Sequence, residues 1–185
     1  ESSALVGFLE DLHEMIRTER SGNVATYIPQ VRPVFAFGEL YILTCHCRAK
    51  LAKVNPDLFG IAVCNSRGGI YEVGDSDVDF SIQSCSKPIS YCIAHQTRGR
   101  DLVHSHVGYE PSGQSFNAFA LNKSGLPHNP CINSGAMMVA SLLFPNEEPS
   151  ERFSAIKEVY SRAGGNVSKV GFDNSTFLSE RQCAD

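Results

Sequence analysis

The sequence predicts a mixed fold of the α/β class, more closely the α+β kind, in which an antiparallel sheet packs with helices. Two observations predict this class. Short apolar runs separated by turn residues lie in the middle of the chain, and segments with helical periodicity lie before and after them. Strands that are grouped along the chain and followed by helices are typical of α+β domains.

The first element is an amphipathic helix near the N-terminus. Charged residues alternate there with apolar residues at helical spacing, namely Leu5, Phe8, Leu9, Leu12 and Ile16. We expect Gly22 to close this helix, because glycine is a common residue after a helix end.

The strands come next. Residues 59–64 and 70–73 are apolar runs joined by polar and glycine residues at 66–69, which predicts a β-hairpin. Residues 78–82 alternate between apolar and polar side chains after a turn signal at 74–77. We therefore expect a third antiparallel strand beside the hairpin.

Three more helices are predicted after the strands. Their expected positions are around residues 84–94, 136–144 and 150–163. Pro88 fits the first turn of the first of them, where a missing N–H costs little, and Gly164 and Gly165 stop the last. Residues 104–133 are rich in Gly, Pro, Asn and Ser, which predicts a long loop region.

Composition and charge disfavour several functional classes. The 185 residues, 42% hydrophobic and 19% charged, are typical of a single globular domain. The net charge of −4 gives no reason to expect a polyanion, so nucleic acid is disfavoured as a partner. No apolar stretch approaches the roughly 20 residues that span a bilayer, so we expect no membrane segment.

The seven cysteines predict free thiols and no disulfide framework. Their number is odd and their spacing irregular, which favours a reducing compartment. We expect four of them to be buried because they lie in apolar runs, namely Cys64, Cys85, Cys92 and Cys131. Cys45, His46 and Cys47 invite a metal interpretation, but a zinc site needs four ligands at recognisable spacing. We expect no metal.

A Ser-x-x-Lys pattern occurs twice, at Ser84 with Lys87 and at Ser154 with Lys157. On a helix, residues three apart share a face, so the hydroxyl and the amine can meet. The pattern arises by chance about once in a chain of this composition, so the context must decide. Phe153, Ile156 and Tyr160 form the apolar stripe of the second helix, which leaves its pair on the solvated face.

The first pair has a more reactive context. Ser84 follows an expected strand and opens a helix, whose unpaired N–H groups can hold an oxyanion. A serine is a poor nucleophile until a base takes its proton, and a lysine serves as that base only when its surroundings favour the neutral amine. The alternative is a serine that caps the helix beside an exposed lysine.

The loop region supplies further candidates. Most of its asparagines are expected to form turns. Asn133 precedes a predicted helix, so it is either the N-cap or a donor to a ligand. Glu180 is by default a solvated carboxylate. The residues alone name no substrate.

Seven blocks in order resemble the glutaminase family, the serine-dependent L-glutamine amidohydrolases. They are Tyr-Ile-Pro-Gln at 27–30, Phe-Gly-Ile-Ala-Val at 59–63, Gln-Ser-Cys-Ser-Lys-Pro at 83–88, Gly-Tyr-Glu-Pro-Ser-Gly at 108–113, Pro-His-Asn-Pro at 127–130, Asn-Ser-Gly-Ala at 133–136 and Ser-Glu-Arg at 179–181. The resemblance implies a β-lactamase/transpeptidase type of fold, in which Ser-x-x-Lys opens the central helix.

The same resemblance implies the reaction and its residues. L-Glutamine would be hydrolysed to L-glutamate and ammonia through an acyl-enzyme, with no cofactor. Ser84 would be the nucleophile, Lys87 its base, and the Ser84 N–H half of the oxyanion hole. The residues that would bind substrate are Tyr27, Gln83, Asn133 and Glu180, the last facing the α-ammonium.

Two departures from the family pattern shape further expectations. Residues 31–50 interrupt the match, which favours an insertion, and our hypothesis is that it is a translated intron. The chain ends before further family motifs, so we expect a fragment, incomplete at its C-terminus and with little activity alone. An inert truncated product, or a Ser-x-x-Lys hydrolase of the penicillin-binding or β-lactamase type, is the alternative. The complete protein is expected to be intracellular, cytoplasmic or mitochondrial, and a homo-oligomer.

Overall fold

The structure is a computed structural model and describes residues 2–19, 21, 54–115, 118–165, 170–174 and 177–178. The chain divides into two compact units. The first comprises Glu1–Asp79 with Phe172–Asp185, and the second comprises Phe80–Gly171. The expected insertion at residues 31–50 lies outside the described residues and stays a prediction, as does the role of Gly22.

The first unit contains a helix and a β-hairpin. Helix α1 spans Ser2–Arg17, which confirms the predicted amphipathic helix. Strands β1 (Gly60–Cys64) and β2 (Ile70–Gly74) pair antiparallel, with Gly60 opposite Gly74. The predicted hairpin is therefore confirmed.

Helix α1 packs against the hairpin. Leu9 is 4% exposed, and His13 Nε2 donates a hydrogen bond to the Phe59 carbonyl at 3.0 Å. The rings of His13 and Phe59 stack with centroids 5.1 Å apart. Gly74 has φ +73°, and a Cβ at this position would collide with His13, so the close approach requires glycine.

The predicted strand at residues 78–82 is wrong. A turn follows β2, because the Val78 N–H donates to the Asp75 carbonyl at 3.3 Å. Asp75 also closes the end of the hairpin, since its N–H donates to the Phe59 carbonyl and its carboxylate accepts from the Phe59 N–H. The alternating pattern is present in the sequence, but this turn takes the backbone out of the ladder.

The second unit is helical. A 3₁₀ turn at Gln83–Cys85 leads into helix α2, and three further helices follow; the four helices are α2 (Ser86–Arg98), α3 (Arg100–His104), α4 (Asn133–Ser141) and α5 (Pro149–Ala163). The predicted helices are confirmed with shifted bounds, and Pro88 does lie in the first turn of α2. Helix α3 was missed because it is a single short turn of chain after Gly99.

The core of this unit lies among α2, α3 and α4. Its buried residues are Ile93, Ala94, Val103, Val107, Val139, Leu142 and Leu143. Helix α5 adds Ile156, Val159 and Tyr160 to the edge of this core. Tyr160 Oη donates to the Ser86 carbonyl at 2.9 Å and lies 2.9 Å from Ser90 Oγ, which ties α5 to the first turns of α2.

The four described cysteines and the expected lack of a membrane segment can be compared with the structure. Cys64, Cys85, Cys92 and Cys131 are free, as predicted, but all four are exposed, so their predicted burial is wrong. Apolar neighbours in the sequence do not bury a side chain when the core is confined to one side of each element. Within the described ranges, no helix has the length and apolar character needed to cross a bilayer.

Candidate functional site

Ser84 lies in the 3₁₀ turn directly before α2, and its side chain is exposed. The N-cap of α2 is Cys85, and no side chain caps that helix end. The interpretation of Ser84 as a capping serine is therefore wrong. Ser84 thus lies two residues before the first residue of α2, with an exposed side chain.

Gln83, the residue before Ser84, has an unusual backbone conformation. Its φ is +41°, in the left-handed region that side chains other than glycine enter rarely. Such strained residues occur preferentially at ligand-binding and catalytic sites. The Gln83 amide donates from Nε2 to Ser81 Oγ at 3.2 Å. The bend thus fixes the direction in which the chain enters Ser84 and α2.

Lys87 is half-buried and holds two oxygen atoms from a distant loop. Its Nζ donates to the Cys131 carbonyl at 2.9 Å and to Asn133 Oδ1 at 2.6 Å. The alternative of a solvated, exposed lysine is therefore wrong. Both acceptors are uncharged, so the amine is held by hydrogen bonds without a carboxylate among the described residues.

Asn133 is the first residue of α4. The N-cap position belongs to Ile132, whose side chain makes no capping hydrogen bond. Asn133 is thus not the N-cap, and its side-chain oxygen contacts the Lys87 amine instead. The capping interpretation is therefore wrong, and the interpretation of Asn133 as a donor to a ligand stays a prediction.

An open cavity of about 350 Å³ lies between α2 and α4. It is lined by Ser86, Lys87, Ser90, Asn133, Ala136, Met137, Val139 and Ala140. The polar lining residues are Ser86, Lys87, Ser90 and Asn133, and the others are small or flexible apolar side chains. Ser84 is not among the lining residues, so it stands beside the cavity, one turn of chain before Lys87.

The remaining candidate residues lie outside the part of the chain that the structure describes. Tyr27 and Glu180 lie outside the described ranges, so their predicted roles in substrate binding stay predictions. Cys45, His46 and Cys47 also lie outside. Among the residues that the structure describes, no three or more His, Cys, Asp or Glu side chains are grouped so as to hold a metal ion.

The second Ser-x-x-Lys pair behaves as predicted. Ser154 and Lys157 are both exposed on α5. Ser154 Oγ donates to the Ser150 carbonyl at 2.8 Å, within its own helix. This pair is a feature of a solvated helix face.

Two contributors were missed by sequence reasoning. The Cys131 carbonyl is a backbone group, and no residue type announces which carbonyl will receive a lysine. Asn129 shapes the loop around it, since its Oδ1 accepts N–H groups of Cys131 and Ile132 at 3.0 and 3.1 Å. The Asn-Pro pair at 129–130 is a turn signal, so this second contribution was visible in principle.

Comparisons with known proteins agree on one family. The family model Glutaminase matches residues 45–185. The chain is 36% identical over 179 residues to the mouse (Mus musculus) glutaminase liver isoform, mitochondrial, covering 97% of this chain and 26% of that relative. It is 38% identical over 180 residues to the glutaminase of Nostoc sp., covering 97% and 47%.

A solved structure gives the same result. Mglu in its glutamate form is similar to this chain with a TM-score of 0.77 and 33% identity, over 97% of this chain and 37% of that one. The likeness confirms the predicted fold class, helices with a small antiparallel sheet of the β-lactamase type. The chain spans about a quarter to a half of the length of the relatives it matches.

Proposed function

Because this chain belongs to the glutaminase family, we propose that its site hydrolyses L-glutamine to L-glutamate and ammonia through an acyl-enzyme on Ser84. The observation that carries the proposal is the Lys87 amine, held between the Cys131 carbonyl and Asn133 Oδ1 one helical turn after Ser84. A serine hydroxyl and an oriented amine are the minimal pair for nucleophilic catalysis of this type.

The hydrogen bonds of Lys87 suit the role of a base. A neutral amine carries two N–H groups and one lone pair. When the two N–H groups donate to Cys131 and Asn133, the lone pair is left to accept the Ser84 proton. The same two oxygens also accept from the protonated amine, so Lys87 stays in place through both proton transfers.

The proposed reaction consists of two acyl transfers, the first to Ser84 and the second to water. Ser84 Oγ forms a bond to the side-chain amide carbon of glutamine while its proton passes to Lys87. The C–N bond then breaks, and ammonia leaves with the proton from Lys87. Water attacks the resulting ester, Lys87 again holds the proton in transit, and glutamate departs as Ser84 is regenerated.

Substrate recognition is assigned to four residues by the same family membership. Asn133 lines the cavity and accepts a hydrogen bond from Lys87, which supports its proposed contact with substrate. Gln83 lies next to the nucleophile in the strained turn. Tyr27 and Glu180 complete the set, and the Glu180 carboxylate suits the α-ammonium of glutamine by charge. The complete protein is proposed to work as a homo-oligomer.

The test is capture of the acyl-enzyme. The 185-residue chain is incubated with L-glutamine, quenched in acid, and digested for mass spectrometry, while ammonia and glutamate are measured in parallel. The same assays are run on a chimera that adds the parts of the Nostoc glutaminase outside the aligned segment. We expect a glutamyl adduct on the peptide that contains Ser84, with slow turnover by the chain and faster turnover by the chimera.

Ser84→Ala should abolish the adduct and the turnover, and Ser154→Ala is the matched control that should leave both unchanged. Turnover by Ser84→Ala, or an adduct on another residue, would refute the assignment of the nucleophile. Absence of both adduct and turnover in the chimera would refute the proposed reaction. Ampicillin acylation with no glutamine hydrolysis would favour the penicillin-binding alternative.

A further inference from the structure

We propose that Asn129 is a positioning residue that fixes the Lys87 amine through the acceptor loop, defined as residues 129–133. The inference rests on the proposed function, in which Lys87 is the base. It assigns a role to a side chain that lies outside the cavity lining and outside the pair of residues that contact the amine.

Three hydrogen bonds join the Asn129 amide to the backbone of this region. Its Oδ1 accepts the N–H groups of Cys131 and Ile132 at 3.0 and 3.1 Å. Its Nδ2 donates to the Glu110 carbonyl at 2.9 Å. One side chain therefore joins the acceptor loop to the separate segment that carries Glu110.

The connection to the amine runs through a single peptide. The Ile132 N–H and the Cys131 carbonyl belong to one peptide group: Asn129 Oδ1 accepts from that N–H at 3.1 Å, and the carbonyl accepts the hydrogen bond from Lys87 at 2.9 Å. Ile132 is 8% exposed, and its carbonyl accepts from the Ala136 N–H at 2.9 Å at the start of α4. Both oxygens around Lys87 therefore depend on the conformation that Asn129 sets.

Close packing of the backbone limits the alternatives open to this loop. A Cβ on Gly135 would collide with the backbone carbonyl of Asn129. The first turn of α4 thus lies directly against the residue that shapes the loop. Helix α4 therefore blocks movement of the acceptor loop toward Gly135. If the hydrogen bonds of the Asn129 side chain are lost, the Cys131 carbonyl that faces Lys87 is free to move.

Asn122 provides a matched control within the same unit. It is half-buried like Asn129, and its Oδ1 also accepts two backbone N–H groups, those of Ser124 and Leu126 at 2.9 and 3.0 Å. These bonds stay within residues 122–126 and do not include the acceptor loop. Asn122→Ala therefore removes a turn-forming asparagine without releasing Lys87.

The experiment measures the placement of Lys87 without requiring turnover. The chain is treated briefly with an amine-reactive ester at fixed pH, and peptide mass spectrometry gives the labelling of Lys87 relative to the exposed Lys123 and Lys157. We expect Asn129→Ala to raise this ratio severalfold, because the amine loses its fixed acceptors. Asn129→Asp keeps an oxygen acceptor for the two N–H groups and should restore the ratio to within about twofold of the original chain.

Turnover supplies the second measurement. Asn129→Ala should lower kcat by roughly 10²-fold with a much smaller change in KM, since misplacement of a catalytic group acts on the chemical step. An unchanged labelling ratio in Asn129→Ala, or the same rise in Asn122→Ala, would overturn the proposal. If Asn129→Ala does not melt cooperatively, the Lys87 labelling ratio of Asn129→Asp is the deciding measurement. A ratio far from that of the original chain would then overturn the proposal. Altered labelling in Asn129→Ala, together with no adduct and no hydrolysis in the chimera with the Nostoc glutaminase, would leave the positioning role intact and refute the proposed reaction.

Discussion

Ser84 with Lys87 and Ser154 with Lys157 have the same spacing in the sequence and lie in one compact unit, but their surroundings differ. Lys87 is half-buried and bonds to two oxygens that lie more than 40 positions away in the chain. Lys157 is exposed, and Ser154 bonds to its own helix. The difference arises from the acceptor loop and α4, which pack beside α2 and supply both oxygens; no described residue forms a hydrogen bond with the Lys157 amine.

This comparison shows what a short motif can establish. Helical spacing brings a hydroxyl and an amine to one face of α5, whereas Ser84 precedes Lys87 by the same three residues from a 3₁₀ turn. A catalytic arrangement also needs the amine to be held and partly shielded from water. That requirement is met by residues 131–133, which are remote in sequence from either pair.

The largest difference between the two pairs should follow from removal of the amines. We expect Lys87→Ala to lower kcat for glutamine by about 10²–10⁴-fold, the usual contribution of a general base. Lys157→Ala should leave kcat within about twofold, because surface changes away from a site have small effects. Steady-state ammonia release by the chain and by the chimera with the Nostoc glutaminase measures both.

The double variant Ser84→Ala with Lys87→Ala sharpens this result. The nucleophile and base act as a unit, so their losses should not add, and the double variant should be no slower than Ser84→Ala alone. Additive losses would show that Lys87 acts independently of Ser84.

Removal of one oxygen beside Lys87 should have an intermediate effect. Asn133→Ala deletes the acceptor at 2.6 Å and leaves the Cys131 carbonyl as the remaining described partner. A hydrogen bond to an ionisable group contributes about 1.5–3 kcal/mol, so we expect a loss of kcat/KM of roughly 10- to 100-fold. Wild-type kinetics in this variant would contradict the importance of the held amine.

Much of the helical unit was predictable from sequence, because apolar periodicity, Pro88 and the glycines at 164–165 are local signals. The hairpin was predictable for the same reason. The expected strand at 78–82 failed because a turn, which depends on Asp75 and its bonds to Phe59, removes these residues from the ladder. Burial of the cysteines failed because the sequence does not state which side of an element faces the core.

The site was predictable only in part. Ser84, Lys87 and Asn133 were identified, and the meeting of Lys87 with Asn133 is observed. The choice between a capping and a bonding role for Asn133 depends on where α4 begins relative to α2, and that is a tertiary property. The Cys131 carbonyl could not be predicted, because every residue has a carbonyl and packing alone selects this one.

The smallest effect should come from loss of the Tyr160 hydrogen bonds that join α5 to α2. Tyr160→Phe removes the hydrogen bond to the Ser86 carbonyl and the contact with Ser90 at the first turns of α2. We expect a loss of about 1–2 kcal/mol in the free energy of unfolding, hence a Tm lower by about 2–8 °C, with kcat changed less than about threefold.

Tyr109→Phe is the control for this prediction, because Tyr109 is 77% exposed and contacts His104 through its ring. Its Tm should stay within about 1 °C of the original. A fall in kcat of Tyr160→Phe as large as that of Asn133→Ala would mean that α5 takes part in the site directly.

The absence of a carboxylate around the amine in the described part of the chain has a consequence for salt. Attraction between exposed charges weakens as ionic strength rises, because the Debye length shortens from about 10 Å at 0.1 M to about 3 Å at 1 M. Lys87 is held by a carbonyl and an amide oxygen, both uncharged. Hydrogen bonds to such neutral oxygens are not dispersed by counterions in this way. The placement of the Lys87 amine should therefore tolerate molar salt concentrations that would loosen an ion-paired lysine.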